Sequence, residues 1–100
     1  MLQNPMHPGA VLKELYLVPL DMSAIDLARK LDVPRTRIER LIKGETSMTV
    51  DTAARLARYY STSPQYWMNM QTNYDLAHSL PNVEGITPLG LAYSHNIITS

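Results

Sequence analysis

The chain has 100 residues, 18% of them charged, no cysteine and a formal net charge of zero at pH 7. That length sets one domain with a modest core and little room for a cleft, and the lack of cysteine excludes a disulfide scaffold or a thiolate metal site. No apolar run approaches the ~20 residues of a membrane span and the N-terminus has no signal-peptide pattern, which predicts a soluble, cytoplasmic protein without a membrane partner.

Residues 1–7 read as a flexible N-terminus. His7-Pro8-Gly9 then leads into a first helix running to about Leu17. Leu12, Leu15 and Tyr16 supply its inward stripe at i, i+3, i+4, and Pro19 ends it. Ser23 is a good N-cap for a second helix, on which Leu27, Ala28 and Leu31 share one face. Asp32-Val33-Pro34 breaks that run, because a residue before proline is steered out of the α region. Pro34 can open a third helix at its first position, and Gly44 closes it at a left-handed end. Two short helices joined by a tight turn form the helix-turn-helix pattern.

On the third helix Ile38, Leu41 and Ile42 form an inward stripe. The opposite side shows Thr36, Arg40 and Lys43, flanked by Arg37 and Glu39, with Arg35 in the first turn. A basic helix presented by an apolar support is what docking in a DNA major groove requires. A merely solvated charged face is the plainer alternative. The agreement of frame, caps and cations favours DNA.

Glu45-Thr46-Ser47-Met48 reads as a polar connection passing near a phosphate backbone. Thr49 caps a fourth helix, with Ala53, Leu56, Ala57 and Tyr60 at i, i+3, i+4, i+7. Ser61-Thr62 ends it, and Ser63-Pro64 starts a fifth as cap and first residue. Trp67, Met70 and Tyr74 lie on one face of the fifth helix, with Met68, Leu76 and Ala77 widening the apolar surface, and Pro81 stops it at about Leu80. From Pro81 onward, Pro and Gly punctuate short apolar pieces, among them Val83, Ile86, Leu89 to Tyr93 and Ile97-Ile98. This tail reads equally well as a floppy end or as a segment that pairs with a partner.

Charge is unevenly distributed along these elements. Eight of the nine cations fall between residues 29 and 58, against four acids there, and no Lys or Arg follows Arg58. A basic half and an aromatic, neutral-to-acidic half suggest two partners. Catalysis finds little support. His7, His78 and His95 lack metal-ligand spacing, no glycine-rich phosphate loop is present, and no Ser–His or paired-carboxylate arrangement accompanies Asp26 or Asp51. Neither a cofactor nor a small-molecule substrate is expected.

The run from His7-Pro8-Gly9 through Leu27-Ala28, Ile38, Gly44 and Thr52 to Ala57, then Ser63 to Gln71 and Asn73 to Leu76, closely resembles the HigA/VapI-type antitoxins. These belong to the Xre, or lambda-repressor-like, helix-turn-helix group. The resemblance spans about residues 7–78. It implies an all-α fold: a five-helix lambda-repressor-like DNA-binding domain over residues 8–80, followed by a short irregular C-terminal tail over 81–100. It also implies a homodimer that binds operator DNA, represses its own operon and neutralises a HigB/RelE-like mRNA endonuclease toxin. A stand-alone phage-repressor-like regulator is the alternative, and an interaction module without DNA binding is a third.

Carried over by position, Arg35, Thr36 and Arg40 match base-reading positions, and Ser23, Arg37, Lys43 and Thr46 match or neighbour backbone-contacting ones. Trp67, Asn69, Gln71 and Tyr74 match the signature segment. Trp67, Met70, Tyr74, Leu89, Leu91 and Tyr93 are the candidate dimer or partner interface. Ala24 stands where the group often has a phosphate-touching Gln, and Lys43 where Asn is frequent. Asp21, Asp32 and Ser61 stand where Gly is common.

Overall fold

The computed structural model describes residues 4–90. Among them are five helical rods and no strand. Helix α1 covers Pro8–Leu12 and continues without a break as a π-helical stretch over Lys13–Leu17; α2 is Ala24–Leu31, α3 Arg35–Ile42, α4 Val50–Tyr60 and α5 Pro64–His78. Helix α2 packs on α3 and α4, α4 on α5, and α1 lies against both α3 and α5.

The caps follow from side-chain chemistry. Ser23 Oγ accepts the Asp26 N–H at 3.0 Å while the Asp26 carboxylate accepts the Ser23 N–H at 3.1 Å, a reciprocal capping box. Thr49 and Ser63 accept from Thr52 and Tyr66 in the same way. Pro34 differs from the sequence reading by one place. Its ψ of 143° is extended, so it is the cap of α3 and Arg35 is the first helical residue.

Four helical ends finish in the left-handed region, at Asp21, Asp32, Gly44 and Ser61. Each closes with an N–H reaching back five residues: Met22 to Leu17, Val33 to Ala28, Glu45 to Arg40 and Thr62 to Ala57, all at 2.9–3.0 Å. Asp21, Asp32 and Ser61 are the three positions where the resemblance led us to expect glycine.

Buried apolar side chains from all five rods share one core: Leu12, Leu17, Leu27, Ala28, Leu31, Ile38, Leu41, Met48, Ala53, Leu56, Ala57 and Trp67. Leu15 is not among them and is 64% exposed, against expectation. The π turn is the reason. Val18 donates to the Lys13 carbonyl at 2.9 Å, an i to i+5 bond, and the wider turn advances the inward face so that Leu17 follows Leu12 into the core.

Met48 also departs from its reading as part of a polar connection. It is buried, and its N–H donates to Gln71 Oε1 at 2.7 Å. After His78 the chain is exposed through residue 90, with one turn closed by Ile86 N–H on the Val83 carbonyl at 2.9 Å. The helix therefore ends before Leu80.

Candidate nucleic-acid interface

Helix α3 buries Ile38 and Leu41, half-buries Ile42, and turns Arg35, Thr36, Arg37, Arg40 and Lys43 to solvent. Its C-terminal loop bends away at Gly44, whose φ of 75° suits glycine. The side chains of Thr36, Arg37, Arg40 and Thr46 line one open groove. Ser47, Thr49, Asp51 and Thr52 form its far wall, so α4 presents its N-terminal end there. The unpaired N–H groups of a helix N-terminus favour an anion, which adds to the attraction of the arginines.

The cations are not equivalent. Arg37 donates to Asp51, and the same carboxylate accepts from Arg55 Nε at 3.1 Å. Arg55 Nη1 continues to the Leu31 carbonyl at 2.8 Å, where α2 ends. One chain of charge-assisted bonds therefore ties α3, the start of α4 and the turn of the helix-turn-helix together. Asp51 responds accordingly: Arg37 first, and Arg55 next, hold its carboxyl below the usual carboxylate range. Arg35 makes a long 3.9 Å contact with Glu39. Arg40 and Lys43 have no ion pair among the described residues, and so are available to an external anion.

The remaining residues named from sequence fall outside this groove. Arg35 and Lys43 lie on the same helix but outside the groove lining. Ser23 sits apart, beside Leu17, Val18, Asp21 and Met22, with its oxygen occupied by the cap and its O–H still able to donate. Trp67 must be withdrawn from the interface set. It is 0% exposed, ringed by Tyr16 and Tyr66, and its Nε1–H is satisfied by Thr62 Oγ1 at 2.8 Å. Met70 and Tyr74 are half-buried, Leu89 is 81% exposed, and Leu91 and Tyr93 lie outside the described residues.

Sequence reasoning placed Ser47 in a connection near phosphate, Thr49 as a cap and Asp51 as a surface carboxylate, but brought none of them into the groove with Arg37 and Arg40. The i, i+4 spacing of Asp51 and Arg55 was a visible signal. The reach of Arg37 across fourteen positions had none.

A family model described as helix-turn-helix matches residues 12–67. The chain is 46% identical over 71 residues to virulence-associated protein I of Dichelobacter nodosus, across 71% of this chain and 66% of that one, so the chain spans just under two thirds of that relative. An addiction module antidote protein of a HigA family from Coxiella burnetii superposes with a TM-score of 0.73 at 40% identity, covering 77% of this chain and 84% of that one. The Pseudomonas aeruginosa antitoxin HigA, solved with the higBA promoter, gives a TM-score of 0.73 at 34% identity, covering 93% and 87%.

Proposed function

Because the chain belongs to the helix-turn-helix family, and within it to the HigA/VapI-type group, we propose that it is a DNA-binding antitoxin. In this reading it binds operator DNA as a homodimer, represses its own operon and neutralises a HigB/RelE-like mRNA endonuclease. The observation that carries the DNA part is the groove in which Thr36, Arg37, Arg40 and Thr46 meet the N-terminal end of α4. Thr36 and Arg40 are the base readers, with Arg35 beside them. Lys43, Arg37, Thr46 and Ser23 hold phosphates.

The dimer follows from reach, since a recognition helix covers few base pairs and two half-sites stand about 34 Å apart. Its surface is the exposed apolar run that leaves α5, from Leu76 and Leu80 through Val83, Ile86 and Leu89, with Met70 and Tyr74 at its margin. An RNA-cleaving toxin is expected to be basic, and the cation-free stretch after Arg58 suits such a partner.

The test is binding of a duplex taken from upstream of the chain's own gene. Arg40→Ala should cost about 1–3 kcal/mol on that duplex and little on random DNA. Lys43→Ala should weaken both alike and shallow the salt slope by about one. Parental binding by both variants would remove α3 as the reader. Light scattering should give twice the chain mass. The product of the adjacent reading frame should co-purify and lose nuclease activity, and its failure to do either would leave a regulator without a toxin.

A further inference from the structure

Three parts of the domain meet at His7. It caps α1, its Nδ1 accepting the Gly9 N–H at 2.9 Å. Its surroundings include the Thr46 backbone, in the connection that leaves α3. Its ring carbons lie 3.8 and 3.9 Å from where a Cβ on Gly44 would stand. The ring also meets Tyr74 of α5 edge-on, with centroids 5.0 Å apart.

Nδ1 is thereby committed as an acceptor. A nitrogen that accepts from Gly9 carries no proton, so the hydrogen of the neutral ring sits on Nε2. A second proton would set an N–H against the Gly9 N–H across 2.9 Å. The ring must then turn or withdraw from its place beside Gly44 and Tyr74. The disturbance reaches α3 directly, because the first turn of α1 is pressed against the Leu41 carbonyl at Gly9.

We propose that the neutral imidazole of His7 is a positioning device for DNA contact: it seats residues 44–46 and the end of α3 against the operator, and operator binding weakens when His7 is protonated. This rests on the DNA-binding reading above. The groups around the ring bear on its titration. Helix α5 brings Tyr74, Asp75 and, stacked on Tyr74, His78. Lys43 and Glu45 flank Gly44 on the connection. Burial, which outweighs the pull of the Thr46 backbone and Asp75 toward the imidazolium, holds His7 below its ordinary value. The transition therefore falls below about pH 6.5. If only the neutral form is competent, affinity drops about tenfold for each pH unit below the midpoint. General protonation acts in the opposite sense, since added positive charge strengthens attraction to DNA. A fall is thus diagnostic.

The experiment follows the His7 ring and the amides of Gly44, Glu45 and Thr46 by NMR from about pH 8 to 5. Anisotropy of a fluorescent duplex from upstream of the gene is measured over the same range. The amides are expected to move with the His7 midpoint, and duplex affinity to fall with it. His78→Gln should keep this behaviour. His7→Asn should abolish it without unfolding the domain, because Asn still caps a helix. Amides that ignore the His7 ring, or a duplex affinity that does not fall while the ring titrates, would overturn the proposal. Absence of duplex binding even at pH 8, with the amides still following His7, would instead overturn the DNA-binding reading and leave the coupling of His7 to residues 44–46 standing.

Discussion

Gly9 is seated so close to the backbone carbonyl of Leu41 that a Cβ on Gly9 would stand 1.7 Å from that oxygen. The first turn of α1 is thus set backbone to backbone against the end of α3. Gly9→Ala must push the two helices apart, and overpacking of this kind costs about 3 kcal/mol. A denaturant titration followed by circular dichroism measures it. A midpoint equal to that of the parent would show that α1 does not hold this place in solution.

Ser61 is a second site where backbone and residue type disagree. Its φ of 56° lies in the left-handed region, and the helix end is closed by main-chain bonds that any residue supplies. Ser61→Gly relieves the Cβ contact with its carbonyl and should stabilise by about 0.5–1 kcal/mol after glycine's greater chain entropy is counted. The melting temperature should rise by roughly 2–6 °C. Asp32→Gly and Asp21→Gly should gain less, because Asp tolerates this region better than Ser. A lower melting temperature for Ser61→Gly would mean that the Ser61 side chain contributes something the geometry does not show.

Gln71 gives the third. It is buried, accepts the Met48 N–H at 2.7 Å and donates to Asp75 Oδ1 at 2.9 Å. Gln71→Ala leaves a buried N–H without a partner, at about 1–3 kcal/mol. Gln71→Glu keeps the acceptor but places a carboxylate beside Asp75, so its deficit should be larger at neutral pH than in acid, where like-charge repulsion is relieved. Equal deficits at both pH values would show that the Asp75 contact is not made.

These positions also mark what the sequence could and could not convey. Caps are local, so Ser23, Thr49 and the Ser63-Pro64 pair announced α2, α4 and α5, and Gly44 announced the end of α3. The inward stripes of α2 to α4 were legible for the same reason, since one period governs them. Helix α1 changes period midway, and nothing in Lys13 to Leu17 signals the wider turn, so Leu15 and Leu17 exchange roles. Gly9 read only as part of the lead into α1, because its cause is a carbonyl thirty-two positions away. Met48 and Gln71 are likewise explained only by each other. Of the groove, the exposed face of α3 was visible, while its far wall and the tie between Arg37 and Asp51 needed the fold.

That tie yields the last prediction. Arg37 stands on the face of α3 that would meet DNA, yet its charge is shared with Asp51. Arg37 and Arg55 lower the Asp51 carboxyl, so the folded state binds its proton less readily than the unfolded chain. By linkage, the stabilising contribution is present above about pH 3.9, the ordinary Asp value, and is lost as pH falls further through the depressed one. Asp51→Asn removes that component, and the variant's acid unfolding should be correspondingly less dependent on pH. On DNA the consequences run two ways. Arg37 is released to neutralise a phosphate of its own, and an anion leaves the groove wall, so affinity for random duplex should rise and the salt slope steepen by about one. The freed guanidinium is no longer held in one geometry, so preference for the operator over random DNA should fall. Anisotropy titrations of both duplexes at several salt concentrations separate these effects. An unchanged slope together with unchanged preference would mean that Arg37 stays clear of the phosphates and that its bond to Asp51 only braces α3 on α4.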